Sequence, residues 1–127
     1  MTSHKVYRVQ DKEGRGPWKP GFSMKWVENR DDLDNLHPWF REFGDVRRLI
    51  PNGMIMGSAC LSIEQLRRWF TPGEYQTLLG FGYQAVAIEA SVAVGSDIQC
   101  VIYRAKAFEE DAEPIELYPG EQFEKRI

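Results

Sequence analysis

The chain has 127 residues, a net charge of −3 at pH 7, and 43% hydrophobic residues. This length favours a single domain with a packed core. The mean hydropathy of −0.46 and the lack of a long apolar run argue against a transmembrane helix, and the acidic balance argues against a general nucleic-acid binder, which needs a basic face.

The first half of the chain predicts short elements separated by loops. Residues 6–9 predict a strand from their β-branched and aromatic content. Glycines and prolines make residues 11–20 a loop, and residues 22–27 predict a short strand. Asp31 and Asp32 predict a helix start, and Pro38 predicts the first turn of another short helix.

Two helix starts are the clearest local signals in the second half. Ser62 followed by Gln65 fits a capping box. Thr71 is placed as a second cap, because proline follows it directly and Glu74 stands at the third helical position. Residues 54–56 before these helices predict an extended segment.

Residues 83–90 and 98–103 predict two strands, the second nearly continuously apolar as in the centre of a sheet. Residues 115–118 predict a last edge strand, and a loose acidic tail is expected from about 119. The pattern therefore predicts one α+β domain over residues 1–127, with a small mixed or antiparallel sheet and short helices.

No metal site is predicted. Cys60 and Cys100 lie inside apolar segments and fit two reduced core residues, while His4 and His37 are isolated in the sequence. Because the first residues lack an apolar signal-peptide stretch, we expect a cytoplasmic protein, located in the bacterial host if a phage encodes it.

Two segments could bind a ligand. Arg8 alternates with Tyr7 on the first strand, so it either faces water or a carboxylate, or meets an anion such as a phosphate. Ser58 and Ser62 stand before a helix, where exposed amides favour anions and polar ligands, although turn and cap roles explain the same serines.

The order of Tyr7-Arg8, the Ser58 segment, and Asp97-Ile98-Gln99 before an apolar strand resembles the arginine–serine–glutamate group of the ADP-ribosyltransferase superfamily. The resemblance implies an ADP-ribosyltransferase-like fold and NAD as cofactor, without metal. It implies that Tyr7, Arg8, Ser58 and Ser62 contact NAD.

The resemblance further implies that Asp97 and Gln99 occupy the catalytic acidic pair. Gln99 stands where that family has its glutamate, and a neutral amide lacks the charge needed to stabilise the developing positive ribose. It therefore implies an NAD-binding domain of weak or absent activity, and whether the protein is an enzyme stays open.

Two non-catalytic alternatives stay open: the interaction protein described next, and a bare structural module of a larger phage assembly. The compact, acidic chain without an enzyme signature resembles small phage or prophage products, which makes a non-catalytic inhibitor of a host defence complex, such as a CRISPR complex, a second hypothesis. The partner would be a host protein or ribonucleoprotein, without direct nucleic-acid or membrane binding. Its acidic and aromatic interface would be supplied by Trp18, Trp26, Glu109, Glu110 and Asp111.

Overall fold

The computed structural model describes residues 3–30 and 35–119. They form an α+β fold, as predicted, built on an antiparallel sheet of five strands. The strands are β1 His4–Gln10, β2 Ile55–Ala59, β3 Gln84–Gly95, β4 Cys100–Arg104 and β5 Glu113–Pro114. The α-helices are α1 Trp39–Glu42, α2 Ile63–Trp69 and α3 Pro72–Gly80, with single 3₁₀ turns at Ser23–Lys25 and Arg47–Leu49.

The long strand β3 organises the sheet, whose order is β1-β3-β4-β2. The first half of β3 pairs with β1, and the second half pairs with β4, with a register shift between Val92 and Val94 inside that pairing. The short β5 also pairs with the first half of β3. One bridge of two hydrogen bonds, 2.9 and 2.8 Å long, joins Tyr7 of β1 to Cys60 just beyond β2.

The two faces of the sheet contact different cores. The helix-side core contains α2, α3 and the aromatic side chains around them; its buried residues are Val9, Trp26, Leu36, Cys60, Leu66, Trp69, Phe70, Tyr75, Leu78, Tyr83, Ala85, Leu117 and Tyr118. The loop-side core consists of Val6, Ala59, Val86, Ile88, Ala90, Cys100, Ile102 and Phe108. Because side chains alternate along a strand, successive residues of β1 and β4 serve opposite faces.

Both predicted helix caps are confirmed. Thr71 and Glu74 form a reciprocal capping box at α3. Glu74 is fully buried, and its carboxylate also lies 3.3 Å from the Arg30 guanidinium. The Ser62 hydroxyl accepts a hydrogen bond from the Gln65 amide at α2, but the Gln65 side chain bonds the backbone amide of Leu61 instead of closing the box.

Two predicted strands are wrong. Residues 22–27 contain a 3₁₀ turn, because Trp26 turns into the core and its indole donates to the Pro17 carbonyl. The last strand lies at Glu113–Pro114, and Leu117 is buried in the helix-side core. The predicted helix start at 31–32, and the predicted tail from residue 120 onward, lie outside the described residues.

Candidate functional site

Arg8 is the most unusual residue on the loop side of the sheet. It points from β1 into the loop-side core and is only 8% exposed. Its guanidinium carbon lies 4.5 Å from the centre of the Phe108 ring. Within the described residues, Nε and Nη1 of Arg8 have no hydrogen-bond partner. The ring contacts this buried cation, but neither a carboxylate nor a carbonyl accepts from these two nitrogens. Burying a charge in this way lowers the stability of the folded state.

The pKa of Arg8 is lowered from its usual value to about 10. Burial is the main cause, the nearby positive charge of Arg104 acts in the same direction, and Asp11 partly opposes both effects. The loop-side core therefore holds a guanidinium whose charge is incompletely compensated by its surroundings.

Phe108 belongs to the acidic loop, defined here as residues 105–112, which connects β4 to β5. Its ring is 6% exposed and lies so close to Gly57 that a Cβ there would be 2.6 Å from the ring edge. The Gln10 amide donates to the Phe108 carbonyl over 2.9 Å. The ring and the backbone of Phe108 are thus both held by the sheet below.

Arg104 holds the acidic loop from inside. Its Nε donates to the Lys106 carbonyl over 3.0 Å, and its Nη2 donates to the carbonyls of Ala107 and, over 2.7 Å, Glu110. Nη1 reaches across to the Glu89 carbonyl on β3 over 3.1 Å. One guanidinium therefore fixes three loop carbonyls and ties them to the sheet, which gives the loop a defined shape.

The carboxylates of this loop point outward. Glu109, Glu110 and Asp111 are all exposed. Asp111, at φ 59°, pairs with Lys106, and the hydrogen bond from that ammonium lowers the pKa of its carboxyl. Glu110 accepts a 3.3 Å hydrogen bond from the Ala107 amide. In the part of the chain that the structure describes, Glu109 and Glu110 form no ion pair, so their charge is available to solvent or a partner.

Arg8 and Gln99 do not meet in one cleft. Gln99 lies just before β4, and its side chain bonds the segment around α1, whereas Arg8 lies against Phe108. The Gln99 amide donates to the His37 carbonyl over 2.6 Å and to the Glu42 carboxylate over 2.9 Å. Asp97 is exposed in the turn before β4.

The other residues predicted to contact NAD are dispersed as well. Tyr7 packs against the helix-side core, opposite Arg8. Ser58 lies inside β2 opposite Val101, not in a strand-to-helix turn. Ser62 caps α2. The structure therefore gathers none of these three side chains around the guanidinium of Arg8.

The two tryptophans predicted for an interface differ in exposure. Trp26 is 3% exposed, so it is a core residue and not part of a surface. Trp18 is 44% exposed and packs edge-on against Trp26, with ring centres 4.6 Å apart. Trp18 packs on Trp26, Trp69 and Phe70 of the helix-side core, so of the residues predicted for the interface only the three carboxylates lie on the acidic loop.

Sequence reasoning missed Phe108 and Arg104. The signal that was present is a single aromatic residue within a polar and acidic run, Ala105 to Asp111, directly after an apolar strand. Such an isolated aromatic is typical of a side chain that anchors a loop on a core.

Burial keeps the two cysteines as thiols: it raises the pKa of Cys100 to about 12 and raises that of Cys60 further. Among residues 3–30 and 35–119, no three His, Cys, Asp or Glu side chains cluster as a metal site requires. In the same ranges, no helix has the length and apolar character needed to cross a bilayer.

Comparison with known proteins identifies a family for this chain. Residues 1–116 match the family described as Bacteriophage T4 Y00F protein. No curated protein and no solved structure matches the chain. Since the match covers most of the sequence, the chain belongs to this phage protein family, which confirms the prediction of a phage-type protein.

Proposed function

We propose that this phage protein is a non-catalytic binding protein, and that its acidic loop docks onto a basic surface of a host protein or ribonucleoprotein. The observation that carries the proposal is the way the loop is held: Arg104 and Phe108 fix it from inside while Glu109, Glu110 and Asp111 face solvent.

A loop fixed in this way loses little conformational entropy when it binds. Free loops must be ordered at the moment of association, which weakens affinity, whereas a preformed loop avoids that cost. Its carboxylates also attract a basic partner over several ångströms and favour a single docking orientation. A host defence complex with a lysine-rich groove, such as a CRISPR complex, is the kind of partner that fits this chemistry.

The test is capture of host proteins from a bacterial lysate at low salt on the immobilised full-length chain. The loop variant carries Glu109→Gln, Glu110→Gln and Asp111→Asn. A matched control variant removes the same number of charges at exposed positions elsewhere, with Glu64→Gln, Asp97→Asn and Glu116→Gln.

We expect the native chain and the control variant to retain the same partner, with retention falling as salt is raised. The loop variant should lose that partner. Retention of an identical set of proteins by the loop variant would contradict the proposal.

A second candidate function is binding of NAD or a related nucleotide at an ADP-ribosyltransferase-like site. The observation that favours it is the buried Arg8 guanidinium, whose Nε and Nη1 lack partners within the described residues. A pyrophosphate would supply acceptors for both nitrogens, provided that Phe108 moves aside.

NAD binding is tested by thermal unfolding with and without the nucleotide. At about 100 times its dissociation constant, NAD would stabilise the native state by about 2.7 kcal/mol. Arg8→Met should remove this shift, whereas Arg68→Met on the exposed side of α2 should keep it. An unchanged melting temperature at millimolar NAD rules this candidate out.

A further inference from the structure

A second surface, of opposite charge, lies on the segment that leads into β2. We call it the arginine face and define it as residues 39–56, which include α1, the 3₁₀ turn Arg47–Leu49 and the start of β2. Gln99, just before β4, holds this segment through its hydrogen bond to the Glu42 carboxylate. No residue of the acidic loop belongs to this segment.

The arginine face exposes large apolar side chains. Phe40 is 59% exposed and Leu49 is 49% exposed. Exposed large apolar side chains on a short segment are typical of a surface that another molecule covers.

These side chains continue into a cavity. The Phe40 ring packs edge-on against Trp39 at 5.7 Å, and the Arg47 guanidinium lies 5.7 Å from the centre of the Trp39 ring. Arg47 also lines an open cavity of about 370 Å³, together with Ile50, Met54 and Met56 among others. The exposed Phe40 ring, the Arg47 guanidinium beside Trp39 and the cavity thus form one connected surface.

The positive charge of this surface is only partly neutralised from within, because residues 39–56 contain one exposed carboxylate, that of Asp45. Arg41, Arg47 and Arg48 are exposed, and none of them forms an ion pair with another residue in the described ranges. Glu42 is turned inward, where it accepts the Gln99 amide. Arg48 donates only to the Asp45 backbone carbonyl.

The amino-acid composition of the arginine face indicates whether its partner is a protein or a nucleic acid. Residues 39–56 contain three arginines, three aromatic residues and two methionines, and no lysine. Protein interface cores are enriched in aromatic residues, Met and Arg and depleted in Lys. A phosphate-binding face needs a strongly basic chain, whereas the net charge of this chain is −3. The composition therefore favours a protein partner.

We propose that the arginine face docks an acidic segment of a partner protein, which places one apolar side chain in the cavity beside Arg47. The carboxylates of that segment pair with Arg41, Arg47 and Arg48, while its apolar anchor contacts Met54 and Met56. The site is independent of the acidic loop, so the protein carries two docking surfaces of opposite sign and can bridge two partners.

The probe is a short, fluorescently labelled peptide of glutamates with one central phenylalanine. Its binding to the full-length chain is measured by fluorescence anisotropy. Two control peptides replace either every glutamate with glutamine or the phenylalanine with serine. Single-stranded oligothymidine is the competing ligand class.

We expect the glutamate–phenylalanine peptide to bind and each control peptide to bind at least about tenfold more weakly. Arg47→Gln and Phe40→Ala should each weaken binding by a similar factor. Arg68→Gln and Phe81→Ala, which change an exposed arginine and an exposed phenylalanine outside the face, should leave affinity within about twofold.

Three results overturn the proposal: no peptide binding at millimolar concentration, equal weakening by the Arg68→Gln control, or binding of oligothymidine in place of the peptide. Because the acidic loop is unchanged in these variants, failure here leaves the lysate capture by that loop unaffected.

Discussion

Replacing Arg8 with methionine should make the protein more stable. Burial and the charge of Arg104 lower the pKa of Arg8 from its usual value to about 10. At 1.36 kcal/mol per pKa unit, this shift means that holding the charge in the loop-side core costs about 3 kcal/mol. Methionine keeps an unbranched apolar stem under Phe108 but gives up the cation–π contact, worth about 1–2 kcal/mol in a buried site.

The expected net gain for Arg8→Met is therefore about 1–2 kcal/mol in the free energy of unfolding. Urea unfolding of the native chain, Arg8→Met and the exposed control Arg68→Met measures it. The control should change stability by less than about 0.5 kcal/mol.

The pH dependence of this difference has a definite sign. Below about pH 10, Arg8 is charged in both the folded and the unfolded state, so the full cost is present. Between that value and the higher pKa of an arginine in the unfolded chain, the unfolded state binds more protons, so the native chain gains stability as pH rises. The advantage of Arg8→Met should shrink across this window.

A loss of more than about 1 kcal/mol for Arg8→Met would refute this reasoning, because it would mean that the guanidinium stabilises the core. A gain would mean that the chain carries a charge which folding does not need. A ligand for Arg8, as the nucleotide candidate requires, would then be a reason for its presence.

The remaining predictions concern local packing, thiol chemistry and capping. Gly57→Ala should lower the free energy of unfolding by about 1–3 kcal/mol, because its Cβ would meet a phenylalanine ring at 2.6 Å. Gly80→Ala, whose Cβ would have nothing within 4 Å, should not destabilise the protein. Equal losses of stability for the two variants in urea unfolding would contradict the close packing at Gly57. Cys60 and Cys100 should resist alkylation by iodoacetamide at pH 8 in the native protein, because burial raises both thiol pKa values, and both should react in urea. Alkylation of either thiol in the native protein, detected by mass spectrometry, would be the contrary result. Thr71→Ala should cost about 1 kcal/mol through the lost cap of α3, and a neutral effect on the melting temperature would count against that role.

Local signals in the sequence were sufficient for part of the fold. The starts of α2 and α3 could be predicted because each depends on residues three apart, such as Thr71 and Glu74. β4 could be predicted because it is a continuous apolar run. Both signals are complete within a few residues of the chain.

Contacts between distant residues account for what the sequence did not reveal. The partners of Gln99, the His37 carbonyl and the Glu42 carboxylate, lie 62 and 57 residues away in the chain, so the local sequence around Gln99 does not reveal them. The acidic loop depends on contacts between Phe108 and Gly57, far apart in the chain. The predicted strand at 115–118 failed because Leu117 is buried among helices and its carbonyl accepts from Arg67.

Backbone ¹⁵N relaxation across residues 105–112 tests most directly whether the acidic loop is preformed. With the Arg104 and Phe108 contacts intact, we predict order parameters near about 0.85, as in the sheet, and values below about 0.6 in Arg104→Met, where the loop carbonyls lose their donor. Order parameters below about 0.6 in the native chain would contradict a loop held ready for its partner.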